Sequence, residues 1–106
     1  MAKFLAKASY KAEGARGLMK DGGTARVTAV TKMTKKAGGK VESFYFAYGE
    51  WDAYLILDMP DDASALALSM AVNASGAVAL HLVPLLTAAQ IDAAAKKQTA
   101  YTPPGA

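Results

Sequence analysis

The stretch from residue 41 to residue 59 constrains the fold more than any other part of the chain. It reads V-E-S-F-Y-F-A-Y-G-E-W-D-A-Y-L-I-L-D-M and holds six of the nine aromatic residues. Two β-rich runs on either side of a glycine-containing turn predict an antiparallel hairpin. Gly49 and Glu50 suit a two-residue turn, which sets Tyr45 opposite Tyr54 on one face of the hairpin.

The length of this turn decides which side chains share a face. A three-residue turn from Gly49 to Trp51 would move the register by one residue and exchange the two faces. The two-residue turn is the preferred interpretation. It predicts Asp52 on the same face as Tyr54, and it predicts Trp51 on the opposite face, packed under the helices at the end of the sheet.

The remaining periodicities surround the hairpin with two more strands and with helices. We predict strands over 4–10, 40–48, 52–59 and 77–85. We predict helices over 12–20, 24–37, 61–74 and 87–97. The order strand, helix, strand, strand, helix, strand is that of an α+β, ferredoxin-like βαββαβ domain with an antiparallel four-stranded sheet in the order 4-1-3-2. The domain is expected to span 1–98, followed by a Pro/Gly-containing tail at 99–106.

Strand alternation predicts a sheet with two unlike faces. One face is apolar and lies under the helices, whereas the other carries Leu5, Tyr54, Ile56 and Val83 with nothing to cover them. Monomers seldom expose so large an apolar patch, and a chain of 106 residues has little core of its own. We therefore expect a homodimer or a larger homo-oligomer, in which two sheets face each other as a dimeric α/β barrel with a twofold axis.

Composition excludes several classes of site. The chain has no cysteine and a single histidine, which rules out disulfides and thiolate chemistry and makes a metal site weak, so no metal and no cofactor is expected. The net charge of +3 includes lysines clustered over 32–40. No aromatic side chains alternate with these lysines, so we interpret them as a solvated helix end and expect no nucleic-acid partner.

The apolar segments do not indicate export or membrane insertion. The first apolar run is interrupted after three residues, too early for a signal-peptide core. The uncharged stretch over 63–90 is long enough to span a bilayer, but Asn73, Gly76, His81 and Pro84 interrupt it. We expect a cytoplasmic protein with no membrane partner.

The turn and its surroundings resemble a known family. Gly49-Glu50-Trp51-Asp52, with an aromatic strand before it and an apolar strand and Pro60-Asp61-Asp62 after it, resembles the GYD domain, which is named for a Gly-x-Tyr-Asp turn. Trp51 stands where the family has tyrosine. The resemblance extends over nearly the whole chain and implies a small bacterial or archaeal protein of ferredoxin-like fold, with no established activity. The effector-binding domains of leucine-responsive-type regulators are a looser likeness, and they bind ligands at a dimer interface.

The candidate functional residues lie on the face turned away from the helices. Lys7 is expected between Asp58 and His81, since its strand lies between theirs. The full set of ligand-binding candidates is Lys7, Tyr45, Asp52, Tyr54, Asp58 and His81. A few polar groups inside a mostly apolar barrel are typical of a ligand site, and His81 has the chemistry of a general base or of a metal or haem ligand. The alternative is a buried ion pair with a satisfied histidine in the dimer interface.

Three functional classes fit these residues. The first is a small-molecule-binding or sensing homodimer with a site inside the barrel. The second is a small cofactor-independent or haem-type oxygenase- or isomerase-like enzyme on the same barrel. The third is a structural or interaction protein with no ligand. The residues themselves assign no reaction and leave open whether the protein is an enzyme.

Overall fold

The structure, a computed structural model, describes residues 2–106. Its strands are β1 (Ala2–Tyr10), β2 (Lys40–Phe46), β3 (Ala53–Met59) and β4 (Val78–Leu85). Its helices are α1 (Ala12–Asp21), α2 (Gly23–Lys36), α3 (Asp62–Ala74) and α4 (Ala88–Ala95). The strands form one open antiparallel sheet in the order β2-β3-β1-β4. The predicted ferredoxin-like α+β fold and its 4-1-3-2 strand order are confirmed.

Local sequence signals set the helix boundaries. Gly22, with a φ of 86°, separates α1 from α2 at the predicted Gly-Gly break. Asp61 caps α3 by accepting a hydrogen bond from the Ser64 N–H at 2.7 Å, and this bond lowers the pKa of the Asp61 carboxyl. None of the helices within residues 2–106 combines the length and apolar character needed to cross a bilayer.

The core lies between the sheet and the helices α2 and α3. Its buried apolar side chains come from alternate positions of the strands and from one face of each helix. They are Phe4, Ala6, Ala8, Val30, Ala53, Leu55, Leu57, Met59, Ala65, Leu68 and Val78. For the residues inside the four strands of the structure, the predicted division into a helix-facing and an open side is therefore correct.

The hairpin has the register of the two-residue turn. Tyr45 pairs with Tyr54 and Phe46 with Ala53, as predicted. The strands are shorter than predicted, because backbone pairing ends where the Ala47 N–H donates to the Asp52 carbonyl at 2.7 Å. Gly49 has a φ of 127°, a backbone conformation that side-chain-bearing residues rarely adopt, so glycine is required here for its conformation.

Helix α1 approaches the start of β4 closely at Gly14. A Cβ atom there would overlap the carbonyl oxygen of Ala77, which accepts a hydrogen bond from the Lys11 N–H at 2.9 Å. Gly17, on the same helix, has open space at the corresponding position. The two glycines therefore differ in what an added methyl group would meet.

We predict opposite effects of alanine at these two positions. Gly14→Ala should lower the free energy of unfolding by about 1–3 kcal/mol, because the backbone must move to relieve the overlap. Gly17→Ala should raise it by about 0.5–1 kcal/mol, because alanine favours a helix interior. Urea denaturation followed by circular dichroism measures both. Changes of the same sign in the two variants would contradict the close approach.

Candidate functional site

The sheet has one uncovered side, which we call the open face, turned away from α2 and α3. Partners in adjacent antiparallel strands stand side by side, so its side chains form rows that cross the sheet. The aromatic row consists of Tyr45, Tyr54, Lys7 and His81. The aliphatic row consists of Ser43, Ile56, Leu5 and Val83. The charged row consists of Lys40, Asp58, Lys3 and Leu85.

The aromatic row brings together four of the six predicted candidates. Lys7 on β1 pairs with Tyr54 on β3 and with His81 on β4, and Tyr54 pairs in turn with Tyr45 on β2. Both tyrosines and the histidine are exposed in the single chain, and Lys7 is half-buried. A cation, an imidazole and two phenol groups thus form one line across the sheet.

Trp51 is not part of a strand pair, but its ring lies against two members of this row, Lys7 and His81. The Lys7 ammonium is 4.9 Å from the centre of the indole ring, and the imidazole of His81 meets the indole edge-on at 4.9 Å between centroids. Such a cation–π contact stabilises by about 0.5–1 kcal/mol at an exposed site. The prediction that Trp51 packs on the helix side was wrong. Sequence reasoning thus missed the side chain that joins Lys7 to His81.

Asp52 explains the position of Trp51. Its N–H donates to the Ala8 carbonyl at 2.9 Å, and its carboxylate oxygen Oδ2 accepts from the Tyr10 N–H at 2.8 Å. This side-chain hydrogen bond thus extends the β1–β3 ladder by one bond beyond the first residue of β3. It borders a recess beside Leu18 of α1, so the prediction that Asp52 lies on the barrel side was wrong. The alternation breaks here, which leaves Trp51 on the open face.

Asp58 belongs to the charged row and lies far from Lys7. It pairs with Lys3, four residues before Lys7 on β1, which places it about 13 Å away at about 3.3 Å per residue. The expected Lys7–Asp58 neighbourhood was therefore wrong. The Lys3 ammonium is 3.7 Å from Asp58 and 2.5 Å from Glu42, which sits at a bulge in β2.

Lys3, Glu42 and Asp58 form an ion cluster at this end of the open face. The hydrogen bond from Lys3 to Glu42 raises the pKa of the Lys3 ammonium above its ordinary value of 10.5, and the charge of Asp58 adds to this effect. Asp58 is only 8% exposed, and its Oδ1 atom has no hydrogen-bond partner within residues 2–106. Both nearby carboxylates, those of Glu42 and Asp58, are therefore already paired with the Lys3 ammonium.

A second concavity lies on the helix side of the sheet. This cleft of about 410 Å³ runs between α1, α2 and the end of α3, and Arg26 lines it with an Nε atom that is buried without a partner in the described chain. None of the predicted candidates lines this cleft. Across residues 2–106, no three His, Asp or Glu side chains gather as a metal site requires.

The family of the chain follows from its sequence and this fold. The family model of the GYD domain matches residues 4–95, from β1 to the last residue of α4. The chain belongs to the GYD domain family. Comparison with curated proteins and with solved structures gave no match.

In this GYD domain the aspartate of the signature turn has a structural role. The Asp52 carboxylate accepts a hydrogen bond from the Tyr10 N–H, which would otherwise lack a partner at the end of the sheet. The aromatic residue before it, Trp51 here, is turned towards Lys7 and His81 by the same contact. The turn therefore positions an aromatic ring at the end of the open face.

We predict that the hydrogen-bond acceptor of Asp52 matters more than its charge. Asp52→Ala should lower the free energy of unfolding by about 1–3 kcal/mol, because the Tyr10 N–H loses its partner. Asp52→Asn keeps an acceptor oxygen and should cost about 1 kcal/mol or less. Urea denaturation gives both values, and the emission of Trp51, the single tryptophan, reports the local geometry. Equal stability of the two variants would contradict the prediction that the acceptor matters more than the charge.

Proposed function

We propose that this GYD protein is a homodimer that binds a small anionic molecule between two facing open faces, next to Lys7 and Trp51. The observation that supports this proposal is the contrast between Lys3 and Lys7, the two lysines that β1 places on this face. Lys3 has two carboxylates within 4 Å, whereas Lys7 makes no ion pair within residues 2–106 and rests on an indole ring.

Burial by a second sheet makes this contrast important. A cation removed from water without a counter-charge is unfavourable, and a twofold partner would bring a second Lys7 to the same interface. Asp58 is offset from Lys7 by about 13 Å along the strand, at about 3.3 Å per residue, and both Asp58 and Glu42 already pair with Lys3. An anionic ligand supplies the missing charge, with His81 and the tyrosine hydroxyls as further hydrogen-bonding groups.

The aliphatic row supports the dimer itself. Leu5 and Ile56 form the middle of this row, and Val83 lies at its edge, all on the side of the sheet that faces away from α2 and α3. Burying such side chains against a second sheet contributes about 25 cal/mol per Å² of apolar surface. The pairing would also place the aromatic rows of both copies around a shared interior, which is where ligand sites of mostly apolar character form.

We predict that a charge on the open face dissociates the dimer. Val83→Asp should move the protein to the monomer in sedimentation-velocity runs at micromolar concentration, because the carboxylate cannot be buried between two sheets. Leu66→Asp is the matched control, since Leu66 is an exposed leucine on the outer side of α3. A wild-type monomer, or equal behaviour of both variants, would remove the proposed interface.

We predict that the site prefers carboxylates through Lys7. Benzoate should shift the emission of Trp51 and raise the melting temperature, whereas the uncharged benzamide should do so at least about tenfold more weakly. Lys7→Met should abolish this preference, and Lys32→Met, an exposed lysine of α2, should leave it unchanged.

Each result of this titration separates two functional classes. A preference for benzoate that survives Lys7→Met would contradict the proposed site. No response to either compound at any concentration favours the structural or interaction protein. Turnover of a bound carboxylate that is lost in His81→Ala would favour the oxygenase- or isomerase-like enzyme, with His81 as the base.

A further inference from the structure

Residues 86–106, which we call the C-terminal arm, extend away from the rest of the chain. The arm contains α4, none of whose residues is buried, and α4 makes no extensive contact with another helix or strand of residues 2–106. The radius of gyration is 17.0 Å, against about 13 Å for a compact chain of this length. The longest dimension is 56 Å and the shortest 22 Å, so the arm protrudes.

Helix α4 is nevertheless specified by its sequence. Thr87 and Gln90 form a capping box, in which the Thr87 hydroxyl accepts from the Gln90 N–H at 3.2 Å and the Gln90 side chain accepts from the Thr87 N–H at 2.7 Å. The GYD match includes the whole helix. Isolated helices shorter than about 12–15 residues are marginal in water, so a helix of eight residues requires a surface to pack on.

The arm carries its own apolar side chains. Leu86 is 65% exposed, Ile91 57% and Tyr101 76%. Ile91 is the one large apolar residue of α4, whose other positions are alanine, Gln90 and Asp92. A capped helix with one large apolar side chain and no extensive contact to another helix or strand of residues 2–106 is incomplete in a single chain.

We propose that the C-terminal arm of each copy packs on a second copy of this chain, the same twofold partner that covers the open face. The inference rests on the proposed homodimer. The arm continues directly from β4, an edge strand whose Val83 and Leu85 lie on the open face, so it leaves the sheet beside the surface that meets the partner. Twofold symmetry makes the contact reciprocal, so each copy receives the arm that it also provides.

A pair of full-length variants tests this arm contact. Ile91→Asp places a charge where the apolar contact is proposed, whereas Ala93→Asp places the same charge about 200° around the helix. Ile91→Asp should raise the dimer dissociation constant at least about tenfold in sedimentation equilibrium, because an apolar burial is lost and a charge is desolvated. Ala93→Asp should change it less than about threefold.

Hydrogen exchange of the unmodified protein gives a second measurement. The amide of Ile91 donates to the Thr87 carbonyl at 3.2 Å inside α4, so its protection reports whether the helix is held. Protection should fall as the sample is diluted through the dimer dissociation constant, while the amides of β1 stay protected. Protection that does not change on dilution means that α4 packs within its own chain, which overturns the proposal.

The outcomes distinguish the arm from the open-face interface. If Val83→Asp dissociates the dimer and Ile91→Asp does not, the arm contact fails and the proposed dimer stands. If neither variant dissociates it, both fail. If the wild type is larger than a dimer and Ile91→Asp reduces it to a dimer, the arm joins dimers to one another, which overturns the same-partner contact.

Discussion

Hydrogen bonding of β1 to β3 on one side and to β4 on the other is the constraint on which the rest of the molecule depends. It makes β1 a central strand, so its alternate side chains must enter two different environments. Phe4 and Ala6 enter the core under the helices, whereas Leu5 and Lys7 enter the open face. The helices α2 and α3 cover one side of this sheet, and the described chain leaves the other side open.

The pairing of β1 with β3 also explains the structural role of Asp52 in the GYD turn. The last backbone pair between β1 and β3 is Ala8 with Ala53, and the Tyr10 N–H lies two residues further along β1. The carboxylate of Asp52 replaces the missing backbone acceptor and thereby turns its own side chain away from the open face. Trp51 is held on the open face as a consequence. The aspartate therefore acts on the candidate site by positioning an aromatic ring and does not itself join the site.

Pairing between strands that are close in the sequence was predicted better than pairing between strands that are far apart in it. The pairing of Tyr45 with Tyr54 was predictable, because a short turn fixes the register of the strands that it joins. The partner of Asp58 was not, since β1 and β3 are separated by two helices and β2, and their offset depends on packing. The strand order, and the face of each residue inside the regular strands, were nevertheless predictable from alternation and handedness.

Irregular backbone accounts for the other errors. The bulge at Glu42 adds a residue to β2 without disturbing the turn, and it brings a carboxylate to Lys3 that regular alternation does not foresee. Trp51 was misplaced because strand alternation was extended through Asp52, where a side-chain hydrogen bond replaces a backbone one. The first feature is a bulge in the backbone, and the second is a side chain that replaces a backbone acceptor; hydrophobic periodicity carries no signal for either.

The uncovered surfaces of the single chain meet at β4, and this favours one partner over two. The open face ends at Leu85, and the arm begins at the next residue. Each association of separate molecules loses translational and rotational freedom, at an estimated cost of 4–15 kcal/mol or more. If the open face and the arm contact the same copy, that loss occurs once for both surfaces. A second, independent partner for the arm would have to offset it with little more than Leu86, Ile91 and Tyr101.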